Sequence, residues 1–272
     1  MRYVKMNGCG NDFVILDRRG EGALSLTRER ARAIADRKAG LGCDQIIALE
    51  PSARGDVFMR IWNADGEEVS ACGNGTRAVA WLLMQEQGGA KEIDTAAGLL
   101  HAEPRGGDRI MVDMGAPRLD WREIPVARTT DTVRMDYSNE AGGMRLAGPG
   151  GVNMGNPHAV FFVDDVEALP LDVIGPAVEH DAFFPEQVNA GFAEVRARDL
   201  IRLRVWERGA GLTKACGTGA CAALVAAHRA GLTDRRATIL ADGGALDIEW
   251  GADNHVRMTG PVEVEGQGEL AA

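Results

Sequence analysis

Two short motifs in this chain place a cysteine ahead of a glycine-rich turn: Ala71-Cys72-Gly73-Asn74-Gly75 and Ala215-Cys216-Gly217-Thr218-Gly219. Each follows an alternating, strand-like segment and opens an apolar helical pattern, so each cysteine falls at a helix N-terminus. Backbone N–H groups there attract negative charge and draw a thiol down from its usual pKa of about 8.5. The glycines let the backbone come close to a ligand, and the N–H groups of Gly73, Asn74, Gly217 and Thr218 suit a carboxylate. Two sulfurs on opposite faces of one carbon suit inversion of that centre. One, as thiolate, removes a proton; the other, as thiol, returns one. Such a pair shares one proton, so its titration belongs to both sulfurs.

The elements that must position these groups repeat. The motifs are offset by 144 residues (216 − 72), and at that offset Arg60 overlies Arg204, Trp62 overlies Trp206 and Ala78 overlies Ala222. Asn63 overlies Glu207, Gln45 overlies Asn189, and Gly10-Asn11 overlies Gly155-Asn156 at 145. Along the chain, Asn11, Gln45, Asn63 and Cys72 are spaced 34, 18 and 9 apart; Asn156, Asn189, Glu207 and Cys216 are spaced 33, 18 and 9. Chance among glycine-rich loops explains one such pair, not four in register. Two similar domains, each bringing a polar set and one cysteine to a shared cleft, account for the pattern.

Strands are expected at 57–62, 109–113, 159–163, 200–206 and 246–250, with a hairpin turn at Gly243-Gly244. Helices are expected at 27–39, with Thr27 as N-cap and Gly40 as stop, at 75–87 with Val79, Leu82 and Leu83 on one face, and at 219–230. The fold class is α+β: two pseudo-symmetric domains, each a curved, mostly antiparallel sheet around a central helix, with the active site in the interdomain cleft. The boundary falls near Met114-Gly115-Ala116-Pro117, giving 1–116, joined by 262–272, and 117–261.

The chain has 272 residues, 45% hydrophobic and 26% charged, with 30 Lys and Arg against 40 Asp and Glu. That is an ordinary globular mix, too acidic for nucleic acid and without a membrane span or secretory signal, so the expected location is the cytoplasm. The five cysteines include no CxxC pair, which argues against a disulfide framework and against a structural zinc site. No metal and no cofactor is expected, since no lysine sits in an aldimine context and Gly8-Cys9-Gly10 is not a dinucleotide fingerprint.

The sequence resembles the diaminopimelate epimerases over nearly its whole length. The motifs are Met6-Asn7-Gly8-Cys9-Gly10-Asn11-Asp12-Phe13, Trp62-Asn63-Ala64-Asp65-Gly66 and Ala71-Cys72-Gly73-Asn74-Gly75, followed by Met154-Gly155-Asn156-Pro157-His158, Glu207-Arg208-Gly209-Ala210-Gly211 and Ala215-Cys216-Gly217-Thr218-Gly219-Ala220-Cys221. The resemblance implies a pyridoxal-phosphate-independent isomerase interconverting LL- and meso-diaminopimelate on the route to lysine and peptidoglycan precursors. It also implies a homodimer. It assigns Cys72 and Cys216 as acid and base, and Asn11, Gln45, Asn63, Asn156, Asn189, Glu207 and Arg208 as substrate contacts. His158 and Glu207 resemble residues that tune the thiols. A substrate with two carboxylates and two ammonium groups agrees with Arg208 and a ring of amides.

Competing readings are a cofactor-independent proline or hydroxyproline racemase, a thiol redox protein cycling Cys72 and Cys216, and a non-catalytic amino-acid-binding protein. The intact cysteines and paired polar sets count against the last two. Cys9, Cys43 and Cys221 read as packing residues. Arg28, Arg30, Arg32 and Arg37 read as a solvated helix face.

Overall fold

The structure, a computed structural model, describes residues 1–70 and 72–270; Ala71 of the first motif, and Ala271 and Ala272 at the end of the returning segment, lie outside the described residues. Contacts divide the chain into Met1–Asp113 with Thr259–Ala272, and Met114–Met258. Among the described residues, no helix is long and apolar enough to cross a membrane.

In the first unit, Arg2–Gly8 pairs antiparallel with Asn11–Asp17 and with Glu263–Glu269. Asn11–Asp17 runs parallel to Gln45–Glu50, which pairs antiparallel with Val57–Asn63. That strand pairs antiparallel with Glu68–Val69 and parallel with Lys91–Thr95, from which Gly98–Pro104 and Arg109–Asp113 continue antiparallel. The sheet curves around α2 (Gly73–Gln87), which packs on five of these strands. Helix α1 (Arg28–Ala35) covers the other face, burying Ala31, Ile34 and Ala35 against Ile46, Ala48 and Trp62.

The second unit repeats this order. Gly150–Asn153 pairs antiparallel with Pro157–Phe162, which runs parallel to Asn189–Ala197. Leu200–Glu207 pairs antiparallel with Asn189–Ala197 and Gly211–Thr213, and parallel with Arg236–Ala241, whose hairpin partner is Gly244–Trp250. The 144-residue offset survives as pairing: Ile61 opposite Val69 becomes Val205 opposite Thr213. Helix α4 (Gly217–Arg229) sits inside the sheet, and α3 (Leu171–Glu179) covers the outer face with Leu171, Ile174 and Val178 in a core shared with Phe161 and Phe192.

Three expectations needed correction. Helix α1 stops at Ala35 rather than running to 39. The Asp36 carboxylate accepts the N–H groups of Lys38 and Ala39 at 2.7 and 2.8 Å, and Leu41 and Gly42 return their N–H groups to the Ile34 carbonyl. A local Asx turn thus outcompetes the next helical turn. Helix α4 starts at Gly217 and ends at Arg229, rather than spanning 219–230, and residues 219–227 are all buried. Helix α3 had no counterpart among the expected helices. Pro170 and Pro176 mask it by local rule, yet Leu171, Ile174 and Val178 keep helical spacing and Gly175 lets the helix touch Trp206.

Candidate active site

Each unit carries one half of the expected residues. In the first, Gly8 faces Asn11 across a two-residue turn in which Cys9 and Gly10 both take positive φ, 58° and 80°. This is hairpin geometry of the kind that matches strand twist, and Asn7 Oδ1 secures it by accepting the Gly10 N–H at 2.9 Å. The turn delivers Asn11 to Cys72. The Cys72 thiol lies 3.8 Å from Asn11 Oδ1, which also accepts Asn74 Nδ2 at 3.5 Å. Cys72 is the N-cap of α2, its sulfur accepting the Gly75 N–H at 3.3 Å. Gly73 and Asn74 form the first turn of α2, whose N–H groups point out of the helix N-terminus.

Gln45 and Asn63 stand opposite each other on paired strands, with Gln45 Nε2 donating to Asn63 Oδ1 at 2.9 Å. Gln45 Oε1 is buried and has no partner among the described residues. Asp44 ties this pair to the cysteine. Its carboxylate accepts Asn11 Nδ2 at 3.1 Å and its carbonyl accepts the N–H of Ala64, next to Asn63.

In the second unit Cys216 caps α4 in the same way, its sulfur accepting the Gly219 N–H at 3.4 Å. Thr218 Oγ1 lies 3.5 Å from that sulfur and 3.1 Å from His158 Nε2, which also meets Asn156 Oδ1 at 2.9 Å. Glu207 accepts the Thr213 hydroxyl and lies near enough to Cys216 for its carboxylate to act on the thiol. Asn189, paired with His158 across parallel strands, donates to the Pro157 carbonyl and accepts the Arg208 N–H at 3.0 Å. The Arg208 side chain is exposed and donates to the Glu186 carbonyl at 2.9 Å.

Burial governs the electrostatics of this second half. It pushes the Cys216 thiol well above its ordinary value, and the neighbouring Glu207 carboxylate adds to the rise. The Gly219 N–H and Thr218 hydroxyl pull the other way without reversing it. The expectation that a helix terminus lowers this thiol is therefore corrected: the terminus contributes in that direction, but desolvation is larger. Burial raises Glu207 too. Fully buried His158 is lowered to about 3, by burial first and by Arg208 second, so its imidazole is neutral.

The structure thus joins Cys72, Asn11 and Asn74 in one cluster with Gln45 and Asn63 beside it, and joins Cys216, Thr218, His158, Asn156 and Glu207 in another, with Asn189 and Arg208 beside it. Sequence reasoning missed the supporting residues. Asp44 was one. Another is Arg77, wholly buried on α2, donating to Asn74 Oδ1 at 2.9 Å; its place three residues after Asn74 was the available signal. Arg37, read as solvated, bridges Asp12 and Asp44. Cys9, Cys43 and Cys221 are buried, and burial pushes the thiols of Cys9 up and of Cys43 to about 12.

The fold of two repeated α+β units has solved representatives. A probable proline racemase from Agrobacterium radiobacter K84 superposes with a TM-score of 0.71, covering 99% of this chain and 92% of its own at 14% identity. A predicted epimerase from Pseudomonas aeruginosa gives 0.69, covering 100% and 99% at 18% identity. Those likenesses establish the fold. The sequence goes further: the family model described as diaminopimelate epimerase matches residues 3–119 and 151–265. A curated diaminopimelate epimerase from Phenylobacterium zucineum (strain HLK1) is 57% identical over 269 residues, 98% of this chain and 97% of the relative. The chain belongs to the diaminopimelate epimerase family and is an isomerase.

Proposed function

We propose that the protein inverts one α-carbon of diaminopimelate, interconverting the LL and meso forms, with Cys72 and Cys216 as the two proton-transfer groups. The observation that carries the reading is the pair of equivalently capped cysteines, 144 residues apart, within a chain of this family. The reacting carboxylate takes the helix N-terminal amides of Gly73 and Asn74 and of Gly217 and Thr218. Asn11, Gln45, Asn63, Asn156, Asn189, Glu207 and Arg208 hold the remaining polar groups, the exposed guanidinium taking the distal carboxylate. The enzyme is a cytoplasmic homodimer that works without a cofactor.

Chemistry differs between the two sulfurs. A thiol held high by burial is a proton donor at neutral pH, so Cys216 rests protonated beside the Glu207 carboxylate. After giving its proton to the carbanion it is a thiolate beside a carboxylate, a charge pair that favours taking a proton back. In the reverse direction the Cys216 thiolate takes the α-proton and the Cys72 thiol returns one to the opposite face. Neutral His158 orients Thr218 and Asn156 without adding charge.

The test is incubation with LL-diaminopimelate in deuterated water without added cofactor. Meso product carrying deuterium at one α-carbon is expected. Inversion of proline with no effect on diaminopimelate would replace the substrate assignment. Activity lost on dialysis and restored by pyridoxal phosphate or a metal would remove the cofactor-free mechanism.

A further inference from the structure

Residues 65 and 209 are in register at the 144-residue offset, and both belong to the turn that follows the Trp-Asn or Trp-Glu pair. The two turns are held by equivalent helices using opposite chemistry. In the first unit, Arg32 of α1 donates Nε to the Asp65 carbonyl at 2.8 Å. In the second, Glu179, the last residue of α3, accepts the Gly209 N–H at 2.7 Å with one carboxylate oxygen and the Trp206 Nε1–H at 2.7 Å with the other. The helices match because α1 shifted by the offset falls on 172–179, and each lies over the equivalent tryptophan, Trp62 or Trp206.

Glu179 is 4% exposed. A carboxylate so far out of water needs its hydrogen bonds, and both come from the segment that carries Glu207 and Arg208. Glu207 has a separate anchor in Thr213, and its strand is paired on both sides. Arg208 is held by its guanidinium on the Glu186 carbonyl and by its backbone: its N–H goes to Asn189, and the next N–H, that of Gly209, goes to Glu179. Two buried acceptors therefore fix consecutive amides and with them the direction in which Arg208 leaves the backbone.

We infer that Glu179 is a positioning residue that sets the stance of Arg208 and through it the affinity for the distal carboxylate of the substrate. The inference rests on the proposed role of Arg208. Loss of the carboxylate moves KM, while kcat, which depends on Cys216 and Glu207, moves less.

The experiment compares Glu179→Met, similar in volume but without an acceptor, with Glu179→Gln, which keeps an acceptor for Gly209 while turning its amide donor toward the Trp206 indole, and with Trp206→Phe. Glu179→Met is expected to raise KM for LL-diaminopimelate about tenfold with kcat within about threefold. Glu179→Gln and Trp206→Phe are expected to keep KM within about threefold while lowering stability. Hydrogen exchange over residues 207–213 is expected to speed up in Glu179→Met and not in Trp206→Phe. An unchanged KM in Glu179→Met, or a tenfold rise in Glu179→Gln or Trp206→Phe, overturns the inference, the last by showing that KM follows any loosening of this core. Should the parent fail to invert diaminopimelate, the epimerase reading fails by itself, and unaltered exchange at 207–213 in Glu179→Met would separately remove the clamp.

Discussion

Cys72 and Cys216 cap their helices with the same geometry and stand in different company. Both backbones are extended at the cap, with ψ of 108° and 110°, and both sulfurs accept the N–H three residues on. Around Cys72, which is partly exposed, the groups are amides: Asn11, Asn74, and the Gln45–Asn63 pair. Around buried Cys216 they are a carboxylate, a hydroxyl and an imidazole. The substitutions fall on equivalent places. Phe13 faces Gln45 where His158 faces Asn189, and Asn63 and Asn74 become Glu207 and Thr218 at the offset. The repeat supplies the scaffold twice, and the departures from it give each sulfur its own acid–base setting.

The hardest test of this asymmetry is removal of either sulfur. Cys72→Ala or Cys216→Ala is expected to lower inversion by at least about 10³-fold, since a proton-transfer group contributes roughly 10²–10⁴ and inversion needs both faces. Each variant is expected to keep exchange of the α-proton of one stereoisomer at most, with the two variants choosing opposite isomers; the family resemblance pairs Cys72 with the LL centre and Cys216 with the meso centre. Deuterium incorporation into each isomer checks this. A variant that still interconverts the isomers near the parent rate would end the two-thiol mechanism.

Glu207→Gln comes next, making this position amide-like as in the first unit. Loss of the carboxylate is expected to slow inversion about 10²-fold. It also removes the charge that raises Cys216, so that thiol must titrate lower than in the parent. Thiolate ultraviolet absorbance against pH, with Cys216→Ala as the blank, reads the shift. A thiol that titrates higher in Glu207→Gln would reverse the assigned electrostatics.

His158→Phe installs the residue that the first unit carries in register. The folded pKa of His158, about 3, lies below its ordinary value near 6.5. The unfolded chain therefore binds a proton that the folded chain refuses, and the stability of the parent falls as pH drops from about 6.5 toward 3. The slope from this residue approaches about 1.4 kcal/mol per pH unit. Urea unfolding of parent and variant at several pH values in that window isolates it, because the carboxylates are common to both. Equal slopes would mean that His158 is protonated in the fold.

The sequence made the repeat, both cysteines, the fold class and the cores of the central helices legible, because glycine, cysteine and apolar spacing are local signals. What stayed hidden was non-local or depended on burial. Asp44 acts through Asn11, 33 positions away, and Glu179 through Gly209, 30 positions away; no local pattern marks either. Arg28, Arg32 and Arg37 looked like a solvated face because a helical wheel does not show what crosses the sheet edge, yet they reach Glu67, Asp65 and the Asp12–Asp44 pair. The direction of the Cys216 shift also needed the fold. The helix terminus is visible in the sequence, but the burial that outweighs it is not.

The smallest effect expected is at the first unit's own clamp. Arg32 does for Asp65 what Glu179 does for Gly209, but it does so from an exposed face and to a carbonyl that water can also serve. Its bond exchanges for hydration at little cost, so Arg32→Ala is expected to change stability by no more than about 0.5–1 kcal/mol and KM by less than about twofold. Glu179 differs in that its carboxylate is itself closed off from water, so its two hydrogen bonds do not exchange for hydration in the folded chain. Chemical denaturation and steady-state kinetics on Arg32→Ala beside Glu179→Met measure the difference directly. If the two variants lose the same stability and the same affinity, burial does not separate the clamps, and the turn at Asp65 is as tightly governed as the turn at Gly209.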